Sequence, residues 1–215
     1  MLKKLFSFIL VIFVSSILFV SCGNTNTEYK TIISSTDEAL LSLFTFDGKG
    51  ESKYGLVNLG HSFLAVENIS EDSISIGQVE IEPHKTITIG AWSIASHFGI
   101  WYNVESNYIK FYNKYDGRIS ITTGVDKSDL ETIANYIKQN DTWTPLKNCS
   151  NFALNVWNKV ADKSEELVKP IIYSPTKIAK NLKKFEKYEI NKELITDDNF
   201  YYLDGKTPRY YKLKV

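Results

Sequence analysis

Residues 73–90 read Ser-Ile-Ser-Ile-Gly-Gln-Val-Glu-Ile-Glu-Pro-His-Lys-Thr-Ile-Thr-Ile-Gly, three short runs in which polar and apolar side chains alternate. A period of two places successive side chains on opposite faces of a strand. Residues 73–77, 78–82 and 86–90 are therefore expected to be strands of an antiparallel meander, with residues 68–72 and 83–85 as turns. Upstream, residues 40–46 (LLSLFTF) and 60–68 (GHSFLAVEN) are apolar runs with strand character, and residues 100–104 and 118–123 (RISITT) are further strand candidates.

The pattern then changes to a helical one. Asp126 to Asp129 forms an N-cap signal, and Leu130, Ile133, Ala134 and Ile137 follow at helical spacing. Residues 149–160 carry Cys149, Phe152, Ala153, Val156, Trp157 and Val160 on one stripe. Ser174 followed by Pro175 opens a third helix with Ile178, Leu182 and Phe185 on one face. Asp204-Gly205 marks a hairpin near the C-terminus. Strands grouped first and helices later predict an α+β fold, an antiparallel sheet with packed helices.

Composition narrows the class. The chain has 215 residues, 25 Lys+Arg against 25 Asp+Glu, and is 43% hydrophobic. Those fractions exclude a disordered chain and a polytopic membrane protein. Zero formal charge leaves no electrostatic footprint for nucleic acid. Two cysteines cannot build a disulfide scaffold. His61, His84 and His97 lack ligand spacing and no CxxC is present, so neither a metal nor a cofactor is expected.

The N-terminus reads as an address. Lys3 and Lys4 precede an uncharged apolar stretch over residues 5–20, shorter than the roughly 20 residues a spanning helix needs. It ends at Val20-Ser21-Cys22-Gly23, which resembles the lipobox of bacterial lipoproteins, with Phe19 where that family prefers Leu. The resemblance implies cleavage before Cys22, lipidation of Cys22 and anchoring to a membrane outside the cytoplasm. Residues 1–21 would be the signal peptide, 22–30 a polar tether, and 31–215 a single monomeric domain. Cys149 would then be the one thiol left unmodified.

A cysteine opening a helix has favourable physics for a nucleophile. Unsatisfied backbone N–H groups and the macrodipole stabilise a thiolate there and can stabilise an oxyanion. It needs a base, and His61 enters an apolar strand 88 residues upstream. His on a strand followed by Asn-Cys-x-x-Phe at a helix start resembles circularly permuted papain-like thiol enzymes: lecithin:retinol acyltransferase-like proteins, PPPDE-type peptidases and permuted relatives of NlpC-type cell-wall peptidases. The run GHSFLAVEN…SISIG…TITIGAW…HFGIWYN…NCSNFALNVWN is similar to a loosely characterised set of secreted bacterial proteins.

That resemblance implies a permuted papain-like core over residues 55–190, Cys149 as nucleophile and His61 as base and later acid. A third polar residue should orient the imidazole. His97, Gln78 and Ser93 are candidates, with His97 preferred because it precedes an apolar strand-like run. Asn148 could cap the helix and Ser150 could lend an oxyanion donor. The expected activity is cleavage of peptide or amide bonds in the cell envelope, peptidoglycan included. The alternatives are a lipid acyl hydrolase or acyltransferase, and a non-catalytic surface lipoprotein with an inert Cys149.

Overall fold

The computed structural model describes residues 33–48, 60–194, 196 and 199–211. The expected signal peptide, Cys22, the tether and residues 55–59 of the expected core lie outside them. Among the described residues no helix is long and apolar enough to cross a membrane.

The domain is α+β. Strands β1 (Ala39–Phe46), β2 (His61–Asn68), β5 (Thr86–Ile94), β6 (His97–Tyr102), β7 (Ile119–Val125), β8 (Glu189–Ile190), β9 (Phe200–Asp204) and β10 (Thr207–Tyr211) form one antiparallel sheet, ordered β10-β9-β6-β5-β2-β1-β7-β8. The helices are α1 (Val104–Tyr112), α2 (Lys127–Asn140), α3 (Cys149–Val160) and α4 (Pro175–Leu182).

Both faces of the central strands are covered, which is why β2 reads as a nearly unbroken apolar run. Leu41, Leu43, Leu64, Val66, Ile89 and Ile121 face α2, α3 and α4, where Leu130, Leu154, Trp157 and Leu182 close the main core. Each such side chain contributes roughly 1.5–3 kcal/mol by leaving water. The opposite face carries Phe44, Phe46, Phe63 and Tyr115 in a smaller aromatic cluster. Alternation therefore sends His61 to the aromatic face and Ser62 to the helical face of the same strand.

The helix starts follow local chemistry. Asp126 and Asp129 form a reciprocal capping box on α2. Asn148 accepts the Asn151 N–H at the start of α3, and Ser174 caps α4 with Pro175 in its first turn.

Two expectations need correction. The three alternating runs do not make a single meander. β3 (Ile74–Ile76) and β4 (Val79–Ile81) pair only with each other, and β5 pairs with β2. The cause lies in Asn68, whose Nδ2 donates to the Asp72 and Ile81 carbonyls while its Oδ1 accepts from Ser70. This folds the hairpin away from the sheet and packs Ile74, Ile76, Val79 and Ile81 into the helical core. The second correction is at residues 100–104: the strand ends at Tyr102, and Asn103, with φ 61°, turns the chain into α1. Val104, Tyr108, Ile109 and Tyr112 supply the helical spacing that marks it.

Candidate active site

Cys149 is the first residue of α3 and is half-buried with a free thiol. Its helix packs against β2, whose first residue is His61. The entry to β2 is tight: a Cβ at residue 60 would lie 2.8 Å from the Phe46 carbonyl and 2.9 Å from the Pro175 side chain. Only glycine lets the chain pass between β1 and α4 to deliver His61.

The imidazole is held on several sides. Its Nε2 lies 2.9 Å from Oε1 of Glu105, a fully buried carboxylate in the first turn of α1. The indole of Trp92 sits with its centroid 4.3 Å from the ring, and Tyr115 stacks at 5.6 Å and 23°. Nε2 being committed to Glu105, Nδ1 is the nitrogen left for the Cys149 sulfur, to which His61 hydrogen-bonds. His61, Glu105 and Cys149 lie 44 residues apart in succession, so only tertiary structure unites them.

The proton balance favours an ion pair. Burial opposes a charged His61, but the Cys149 thiolate, the hydrogen bond to it and Glu105 outweigh burial and raise the imidazole to about 10. Burial likewise pushes the Cys149 thiol up, and the His61 charge and hydrogen bond, the Ser62 backbone N–H and the Ser150 hydroxyl bring it below its ordinary value. The two shifts act together, favouring transfer of the thiol proton to the imidazole. Tyr115 stays a neutral phenol, raised by its burial and then by Glu105, Tyr108 and Cys149.

The helix start adds a cradle. The Asn151 and Phe152 N–H groups go to Asn148, leaving that of the half-buried Cys149 ahead of the first intrahelical bond, where an oxyanion could lie.

The other expected residues sit as follows. The Asn148 side chain is spent on structure: it caps α3 and donates to the Pro145 and Tyr173 carbonyls. Ser150 is fully buried, its hydroxyl 3.2 Å from that of Ser62, which continues to Thr45 at 2.9 Å and the Pro175 carbonyl. It supports the sulfur from behind rather than facing an open cleft. His97 does not orient His61. Its Nε2 pairs with Asp141 at 2.8 Å and its ring stacks on Tyr202 at 4.5 Å. Gln78 lies in the exposed turn between β3 and β4, and Ser93 is exposed on β5.

Glu105 holds the place expected of those three. The sequence carries a signal for it: one carboxylate within an aromatic-rich stretch, three residues after the strand, at the opening of a helical pattern. The apolar run over residues 100–104 masks that opening by resembling continuous strand.

Among the described residues no group of three or more His, Cys, Asp or Glu is arranged to hold a metal ion. Comparison with protein-family models, with curated proteins and with solved structures returns no match.

Proposed function

We propose that this chain is an envelope-anchored cysteine hydrolase of permuted papain-like type, held to a membrane by lipid on Cys22, that cleaves peptide or amide bonds through a Cys149 thioester. The observation that carries the reading is the Cys149–His61–Glu105 alignment at the N-terminus of α3. The Cys149 thiolate adds to the scissile carbonyl carbon, and the π pair moves to oxygen against the Cys149 N–H group. Collapse expels the amine, which takes the proton from His61 Nδ1, and leaves an acyl thioester. Water then attacks as His61 accepts its proton, and collapse expels the thiolate, releasing the acid and restoring the thiolate–imidazolium pair. Glu105 holds the ring and stabilises its charge throughout. Peptide cross-links of the cell wall are the first substrate class, being the amide polymer nearest an anchored domain.

One observation favours a lipid acyl ester as second substrate class. Leu146, Ile171 and Ile172 are exposed on the two loops that Asn148 ties to the start of α3.

The test is incubation of the full chain with cell-wall peptide fragments and with phospholipid, followed by acid quench and intact-mass measurement. An acyl adduct on Cys149 with release of free amine supports the peptide reading, and an acyl chain on Cys149 supports the ester. Failure of both, with Cys149 alkylated only after denaturation, would leave a binding lipoprotein with an inert cysteine.

A further inference from the structure

Glu105 receives two donors on one oxygen. Trp92 Nε1 donates to Oε1 at 2.6 Å, beside the 2.9 Å contact from His61 Nε2, while Oε2 is buried with no hydrogen-bond partner among the described residues. Trp92 belongs to β5, and two residues earlier on the same strand face Gly90 makes the space: a Cβ there would lie 1.8 Å from Oε1. One strand thus supplies both the hollow that admits the carboxylate and the N–H that fixes its rotation. The same indole covers the His61 ring at 4.3 Å and packs on Tyr108 at 5.6 Å.

We propose that Trp92 is a positioning residue: through its hydrogen bond it holds the Glu105 carboxyl group aimed at His61, and so governs the reactivity of Cys149. The proposal rests on the cysteine-hydrolase reading and extends it to a residue whose hydrogen bond goes to the carboxylate behind the imidazole.

The physics is the cost of a charge out of water. A carboxylate at zero exposure persists only if hydrogen bonds replace its hydration. With Trp92 silent, Glu105 would retain one donor, and its carboxyl group would be free to turn in its hollow. A carboxyl group turned away from Nε2 no longer supports the imidazolium, and the thiol keeps its proton to higher pH. The ionisable groups facing this cluster are His61 from β2, Glu105 and Tyr108 from α1, Tyr115 from the loop after α1, and Cys149 from α3. Both phenols are raised, chiefly by burial, and stay neutral across the range in question.

The experiment is the pH profile of Cys149 alkylation by iodoacetamide in the full chain. It is run on wild type, Trp92→Phe, Glu105→Gln and the double variant, with the Trp92 indole N–H resonance followed by NMR. Trp92→Phe keeps an aromatic ring and removes the donor. The expected result is an upward shift of the alkylation midpoint by about one pH unit in each single variant, and no further shift in the double variant. The indole resonance should move upfield in Glu105→Gln. An equal shift from Trp92→Phe with and without Glu105 would reduce Trp92 to packing and overturn the proposal, as would no shift in Trp92→Phe. An ordinary wild-type thiol sinks the hydrolase reading separately. An indole resonance indifferent to Glu105→Gln then overturns the Trp92–Glu105 link, and one that moves sustains it as a link without catalytic consequence, which also ends the positioning role.

Discussion

Glu105 Oε1 and His61 Nε2 meet at 2.9 Å in a place where neither is exposed beyond a tenth of its surface. Burying a carboxylate beside an imidazole is costly unless both are charged and hydrogen-bonded. Here the ring also meets the Cys149 sulfur, whose charged form raises the imidazole, so one ring is shared between a carboxylate on one side and a sulfur on the other.

Replacing the sulfur separates chemistry from folding. Cys149→Ala should abolish thioester formation, and His61→Ala should slow it by about 10²–10⁴-fold. In Cys149→Ala the largest influence raising His61 is gone, so its imidazole should titrate well below 10, followed by ring-proton NMR. An unchanged His61 titration would show that the sulfur and ring are not paired.

The pair also predicts how stability varies with pH. In the unfolded chain the ring titrates near 6.5 and the thiol near 9.0. Just below pH 9 folding moves one proton from sulfur to ring, so folded and unfolded chains bind the same number and stability should be flat. Between 9.0 and about 10 the unfolded thiol loses its proton while the folded ring keeps one, so stability falls as pH rises, with a slope of at most about 1.4 kcal/mol per pH unit. Urea midpoints across pH 8–10 for wild type and Cys149→Ala check this, and a wild type that does not lose stability relative to the variant above pH 9 refutes it.

Gly90→Ala is a severe substitution at a residue remote from the sulfur. The added methyl would meet Glu105 Oε1 at 1.8 Å, so the carboxylate must leave its seat. Loss of low-pH alkylation with a melting point several degrees lower is the expected outcome. A folded variant with unchanged alkylation would mean that Glu105 has another way to reach His61.

His97→Ala should leave the thiol untouched. It removes one of two donors to Asp141 Oδ1, the other being the Ile100 N–H, and the stack on Tyr202. The alkylation profile should overlay wild type while exchange of the Ile100 amide quickens. A displaced profile would restore His97 to the site.

Asn148→Ala removes an N-cap, which costs about 1 kcal/mol, and also frees the Pro145 and Tyr173 carbonyls. A fall in melting temperature of roughly 2–4 °C or more is expected by calorimetry.

Much of this architecture is legible in the chain. The start of α3 at Cys149, the cap at Asn148 and the Ser174-Pro175 opening of α4 follow from side chains acting on their own backbone, a local matter. The pairing of β5 with β2 is different, since it depends on a hairpin that Asn68 folds aside through four hydrogen bonds. The partner of His61 was the hardest to see. His97 looked plausible by residue type, whereas Glu105 is selected by a hollow at Gly90 and a donor at Trp92 on another strand. Side-chain identity proposes a base, and only packing decides which acid stands behind it.

The two 44-residue intervals from His61 to Glu105 to Cys149 bear on the chain before it folds. Unfolded, the polypeptide carries an ordinary protonated cysteine and an ordinary histidine, with nothing to join them. Reactivity therefore arrives last, when sheet and helices close together. An unfolded copy is chemically quiet, and folding itself releases the catch.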